Sequence, residues 1–186
     1  MKRSFAAAAA LTMLALPAGA GAQPSSADRT NAAQECRAER GNTDATQQAF
    51  RARYGPNRNG RNVFGKCVSQ RSKVEERQRE GAKSNASKEC KAERQELGQE
   101  AFGEKYGTNA NKRNAFGKCV SAKAREGKDE ADRRDAEKSE KRRNAAKECA
   151  AERDSLGREA FAGKYGTNRN KRNAFGKCVS KGAQAA

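Results

Sequence analysis

Tyr165 to Ser180 reads YGTNRNKRNAFGKCVS, and Tyr106 to Ser121 reads YGTNANKRNAFGKCVS. Fifteen of the sixteen positions are identical. Tyr54 to Ser69, YGPNRNGRNVFGKCVS, is a more diverged copy. A second motif precedes each: Asn31–Arg40 (NAAQECRAER), Asn85–Arg94 (NASKECKAER) and Asn144–Arg153 (NAAKECAAER). Self-similarity of this kind marks duplicated structural units. The units are module 1 over 31–69, module 2 over 85–121 and module 3 over 144–180.

The cysteines follow the repeat. Cys36 matches Cys67, Cys90 matches Cys119 and Cys149 matches Cys178. Six cysteines allow fifteen connectivities, but sibling modules should fold alike, which favours one disulfide in each. A zinc site would want closely paired thiols or nearby histidine, and a thiol nucleophile would want a base. The chain has no histidine and no C-x-x-C. Each module has about 37 residues, too few for a self-sufficient core, so a cross-link is needed.

Within module 3, Ala145, Cys149 and Leu156 fall on one face of a first helix. Gly157 ends it, as Gly41 does in module 1. Asp44 is a candidate N-cap there, with Gln47 three residues on. Phe161 and Tyr165 share a face of a second helix, which Gly166 breaks. Asn170 caps a third helix starting at Lys171, bearing Phe175, Cys178 and Val179. The nine aromatics outside the first 22 residues all recur in register. Stacking on bases is one use for them. Filling three small cores is the preferred one, with the tyrosine hydroxyls reaching the surface or a backbone carbonyl.

The fold class expected is all-α, with three tandem modules of about three helices each, one disulfide per module, joined by charged linkers. The linkers are 70–84 and 122–143. The second holds nine basic and seven acidic residues in 22. Asp129–Arg133, Glu130–Arg134 and Glu137–Lys141 suit a solvated helix frayed at Gly127. Disorder is the alternative. Neither linker has an apolar stripe for a coiled-coil seam. The stretches 23–30 and 181–186 read as loose tails, giving beads on a string.

Met1 to Ala22 has the pattern of a secretory signal: Lys2 and Arg3, an apolar run from Phe5 to Leu16, then Ala20-Gly21-Ala22. Cleavage is expected between Ala22 and Gln23. The apolar run is too short for a retained anchor helix. A secreted address places the thiols in an oxidising compartment.

The paired motifs resemble a repeat found in secreted proteins of actinobacterial type, across all three modules. Asn144–Arg153 with Tyr165–Ser180 and Asn85–Arg94 with Tyr106–Ser121 match it best. The resemblance implies a secreted repeat protein and carries no activity or ligand. Module 1 departs from it at Pro56 and Gly60.

The whole chain carries 40 Lys+Arg against 23 Asp+Glu, a formal +17, with 34% hydrophobic residues. That composition argues against a conventional enzyme with a deep apolar pocket. The repeated acids Glu35/Glu39, Glu89/Glu93 and Glu148/Glu152 read as helix surface. The candidate site is the repeated loop and start of the third helix. Its basic residues are Arg58, Arg61 and Lys66 in module 1, Lys112, Arg113 and Lys118 in module 2, and Arg169, Lys171, Arg172 and Lys177 in module 3. Bases at a helix N-terminus oppose the macrodipole, which suggests a use in holding an anion there. The competing reading has the asparagines capping and turning while the bases keep the surface soluble. The loop lacks the carboxylates of a calcium site, and no metal or cofactor is expected. The function expected is non-enzymatic binding of an anionic polymer (wall polymer, exopolysaccharide or extracellular DNA) or an anionic membrane surface, with no small-molecule substrate. The alternative is a structural or spacer protein of the cell envelope.

Overall fold

A computed structural model describes residues 23–55 and 61–185. The expected signal peptide and Arg58 lie outside the described residues. Among those described, seven helices and no strands occur: α1 (Ser26–Arg40), α2 (Asp44–Tyr54), α3 (Val63–Leu97), α4 (Gln99–Tyr106), α5 (Ala115–Leu156), α6 (Arg158–Tyr165) and α7 (Ala174–Ala185). The chain is all-α, as the repeat implies.

Helix ends are set by local chemistry. Ser25 and Asp28 form a capping box at the start of α1, satisfying two free backbone donors. The stretch expected to be a loose tail is therefore helical from Ser26. Asp28 is buried and accepts from Arg79 of α3 at 3.2 Å. Thr43, not Asp44, is the N-cap of α2, paired with Thr46. Gly41 closes α1 at φ 58°. Gly98 and Gly157, both at φ 78°, end α3 and α5 and start the next helix at once. The left-handed region strongly favours glycine there. The C-terminal stretch expected to be loose continues α7 to Ala185.

Each module is stapled as the repeat predicts, by Cys36–Cys67, Cys90–Cys119 and Cys149–Cys178. Phe50, Phe102 and Phe161 are buried in the three cores, each tilted against a tyrosine one turn on. The tyrosine hydroxyls go to carboxylates and not to backbone carbonyls, in a buried tie at Tyr54 and part-buried ones at Tyr106 and Tyr165. Tyr54 donates to Glu39 at 2.9 Å, Tyr106 to Glu93 at 2.8 Å and Tyr165 to Glu152 at 2.8 Å. The second glutamate of each repeated pair is thus an internal tie between first and second helices, not simple surface. A neighbouring base completes each tie: Arg53, Lys105 or Lys164. Leu156 departs from its expected inward face and is 44% exposed, at the last turn of α5.

The linkers are helical and are not spacers. α3 closes module 1, crosses the linker and opens module 2; α5 does the same between modules 2 and 3. Gly127 lies inside α5 without a break. A Cβ on it would lie 3.5 Å from that of Ala82 in α3. Residue numbers fall along α3 as they rise along α5, from Cys90–Cys119 through Ala82–Gly127 to Arg71–Ser139. The two helices form an antiparallel hairpin, and α1 packs antiparallel along α3 through Asp28–Arg79 and Cys36–Cys67. Module 2 sits at the hairpin tip, and modules 1 and 3 meet at its open end. There Ala45 and Ala49 of α2 pack on the module 3 core, and Arg153 donates to Gln48 at 2.7 Å.

This replaces beads on a string. The seam lacks an apolar stripe, as the sequence says. It closes with small residues, Ala86, Ala131, Ser72 and Ser139, around buried Glu75 and Asp135. Small side chains let the backbones approach, and the charges pair across helices. Arg71 of α3 reaches Glu35 (3.2 Å) and Glu39 (3.2 Å) of α1 and Asp135 (3.5 Å) of α5. Of the three intrahelical pairs expected in the second linker, Glu130–Arg134 forms at 2.5 Å. Lys128 instead bridges Asp132 and, across to α3, Glu75.

Candidate functional site

The repeated loop is built chiefly by its own polar residues. Asn173 Oδ1 accepts from the Thr167 N–H, and its Nδ2 donates to Thr167 Oγ1 at 2.7 Å. Asn114 does the same with Thr108. Asn170 does not cap a helix; it accepts from the Arg172 N–H, and the third helix begins later, at Ala174. Lys112 and Lys171 are left-handed, at φ 56° and 54°. Their ammonium groups turn back to the carbonyls of Gly107 and Gly166, the latter at 2.9 Å. These two lysines therefore cap the carbonyl end of the preceding helix, where a cation suits the dipole. Their ammonium groups are thus directed at the preceding helix and not at the start of the third.

The other predicted bases separate by location. Arg61, Arg113, Lys118 and Arg169 are exposed, and Lys66 is half-buried. Arg172 and Lys177 line a concavity among the described residues. It is a cleft of about 850 Å³ between α2, α5 and α7, where modules 1 and 3 meet. Six basic side chains line it, Arg53, Lys138, Arg142, Arg143, Arg172 and Lys177, against one carboxylate, Glu39. Glu39 is already shared by Arg53 (2.7 Å), Arg71 (3.2 Å) and Arg142 (3.7 Å). Lys138 pairs with Asp135 at 3.2 Å. Arg143 donates to the Ala38 carbonyl at 2.8 Å. Arg143, Arg172 and Lys177 have no carboxylate partner among the described residues. Their uncompensated charges converge on one space, which raises the local attraction for anions.

The apolar part of the cleft is Ala49, Ala52 and Ala183, backed by the buried core residues Phe50, Ala146 and Val179. It stays open because small residues meet there. A Cβ on Gly176 would lie 3.4 Å from that of Ala52, while one on Gly117, its counterpart in module 2, would meet open space. Sequence reasoning missed Arg53, Lys138, Arg142 and Arg143, and it missed the cleft. Residues of modules 1 and 3 line this cleft together, so neither module's sequence displays it alone. The i, i+4 spacing of Lys138 and Arg142, one turn apart on the helix, was the available signal.

A second cluster lies in the bundle. One oxygen each from Glu35, Glu75 and Asp132 lies within 4.8 Å of the others. The chain supplies its own cation there: Lys128 Nζ sits 2.6 Å from Glu75 Oε2 and bonds Asp132. Burial pushes the Glu35 carboxyl up to about 7, with Glu75 and Asp135 adding to the rise against Arg71. Burial and then Glu39 push the Tyr54 hydroxyl up to about 12, so it stays a donor. These are structural ties of the bundle.

The chain matches no protein-family model, no curated protein and no solved structure. The three disulfides fit an oxidising environment, and no helix among the described residues is long and apolar enough to cross a membrane.

Proposed function

We propose that the protein is exported and binds an anionic polymer of the extracellular space or cell envelope, without catalysis. The observation that carries this reading is the cleft between modules 1 and 3, with six bases, one shared acid and three bases lacking a carboxylate partner among the described residues. The formal charge of +17, lowered to +15 once Lys2 and Arg3 leave with the signal, adds long-range attraction, and the exposed loop of module 2 supplies a weaker secondary contact. A polymer can engage both, gaining avidity from the second contact.

Binding to polyphosphate across a salt gradient tests the reading. Affinity should fall steeply with salt, because each phosphate neutralised releases counterions. Replacing Arg142, Arg143, Arg172 and Lys177 by Gln should weaken binding far more than replacing Lys83, Lys88, Arg113 and Lys118, an equal change in charge. Equal losses would leave only bulk charge. Absence of binding at low salt would favour the second reading, an envelope spacer, which draws on the hairpin that holds module 2 apart from modules 1 and 3.

A further inference from the structure

We infer that the cleft between modules 1 and 3 is a site for a small soluble amphipathic anion: one phosphate, sulfonate or carboxylate group on an apolar body. The inference rests on the anion-binding reading and narrows it. Hydrated polymer charges need only cations, yet this cleft offers two chemistries. Its rim carries Arg143, Arg172 and Lys177, without acidic partners among the described residues, and its accessible apolar lining is Ala49, Ala52 and Ala183, backed by buried Phe50 and Val179. About 850 Å³ is the size of a typical small-ligand site, and such sites pair an apolar lining with a few convergent polar groups. The rim fixes the acidic group, since guanidinium and ammonium groups bind oxyanions strongly. Burial of the apolar body against that lining adds affinity in proportion to area.

The repeat supplies an internal control. Module 2 has almost the same loop, with Arg113 and Lys118 at the places of Arg172 and Lys177. No second module covers it, and Gly117 faces open space. A site made by the loop alone would occur in both modules; one made by the junction occurs once.

The test is titration of the purified protein with anilinonaphthalene sulfonate, a soluble amphipathic sulfonate, read by fluorescence. One probe should bind per chain. Arg172→Gln with Lys177→Gln should raise its dissociation constant about tenfold, and Ser180→Trp, which fills the cleft from the exposed side of α7, should do the same. Arg113→Gln with Lys118→Gln should leave it unchanged. Equal losses from the module 2 pair, or several equivalent sites per chain, would overturn the inference. So would capture on phosphatidylglycerol vesicles with no binding of the soluble probe. Binding of polyphosphate but not of the sulfonate would defeat this inference and leave the polymer reading standing. Binding of neither would defeat both.

Discussion

The Lys128 ammonium lies 2.6 Å from Glu75 Oε2, a carboxylate whose side chain is 1% exposed. It joins α5 to α3 at mid-hairpin, where no apolar stripe holds the two together. A buried charge left without its partner is costly, because the lost Coulomb energy no longer offsets desolvation. Lys128→Met should therefore destabilise the fold by about 3 kcal/mol, seen as a lower urea midpoint. The double variant with Glu75→Gln should recover part of the loss, since both charges are then gone. No recovery would mean that the lysine stem, and not its charge, matters here.

Glu35 gives stability a pH dependence with a defined sign. Its folded value of about 7 exceeds the ordinary 4.5, so folding favours the protonated form. That contribution is complete below pH 4.5 and disappears as pH rises through 7. Glu35→Gln keeps the neutral form throughout. It should change stability little at pH 4 and raise it at pH 8. The same difference at both values would exclude Glu35 as the titrating group.

At the acid end the sign reverses. Bonds from Lys105 and Tyr106 hold Glu93 down at about 2. Its contribution is present above the ordinary 4.5 and is lost as pH falls towards 2. Replacing Lys105 by Met should move the start of acid unfolding to higher pH, readable by circular dichroism.

The tyrosine ties should be separable from the aromatic cores. Tyr54→Phe keeps the ring against Phe50 and removes only the donor to buried Glu39. The expected loss is about 1 kcal/mol. Tyr54→Ala should cost about 3 kcal/mol or more, since it also opens a cavity. Similar losses from both would make the hydroxyl bond the dominant part.

Opening one cross-link should act on one end of the molecule. Cys149→Ser with Cys178→Ser removes a closure of 29 residues, which the chain-entropy estimate puts at about 3–4 kcal/mol. Hydrogen exchange should rise in α6 and α7 while the amides around Cys90 and Cys119 stay protected.

What could be read in advance divides by the reach of the interaction. The disulfide pairing, the stops at Gly41, Gly157 and Gly166, and the aromatic cores follow from contacts within one repeat, and the repeat displays them three times. The hairpin does not, because Gly127 looks like a helix breaker until it is seen to face Ala82 across the seam. Glu39, Glu93 and Glu152 look like solvated acids beside bases; their tyrosine partners lie 13 to 15 residues away and on another helix. At the loop, the asparagines were legible as turn residues, and two of its lysines proved to serve the preceding helix. Of the remaining bases, Arg172 and Lys177 acquire a setting where α2 meets α7, and no local pattern records that meeting.

Since α3 belongs to two modules and α5 to two, the chain is articulated like a carpenter's rule, with modules at the joints and shared helices as the slats. Odd-numbered joints gather at one end and even-numbered joints at the other. Lengthening a slat by one residue would swing the face of every later joint by about 100°, so the 35 and 42 residues of α3 and α5 are gauges that bring joint 1 against joint 3. A fourth copy of the motif would fold back beside module 2 and would give the far end a junction of its own.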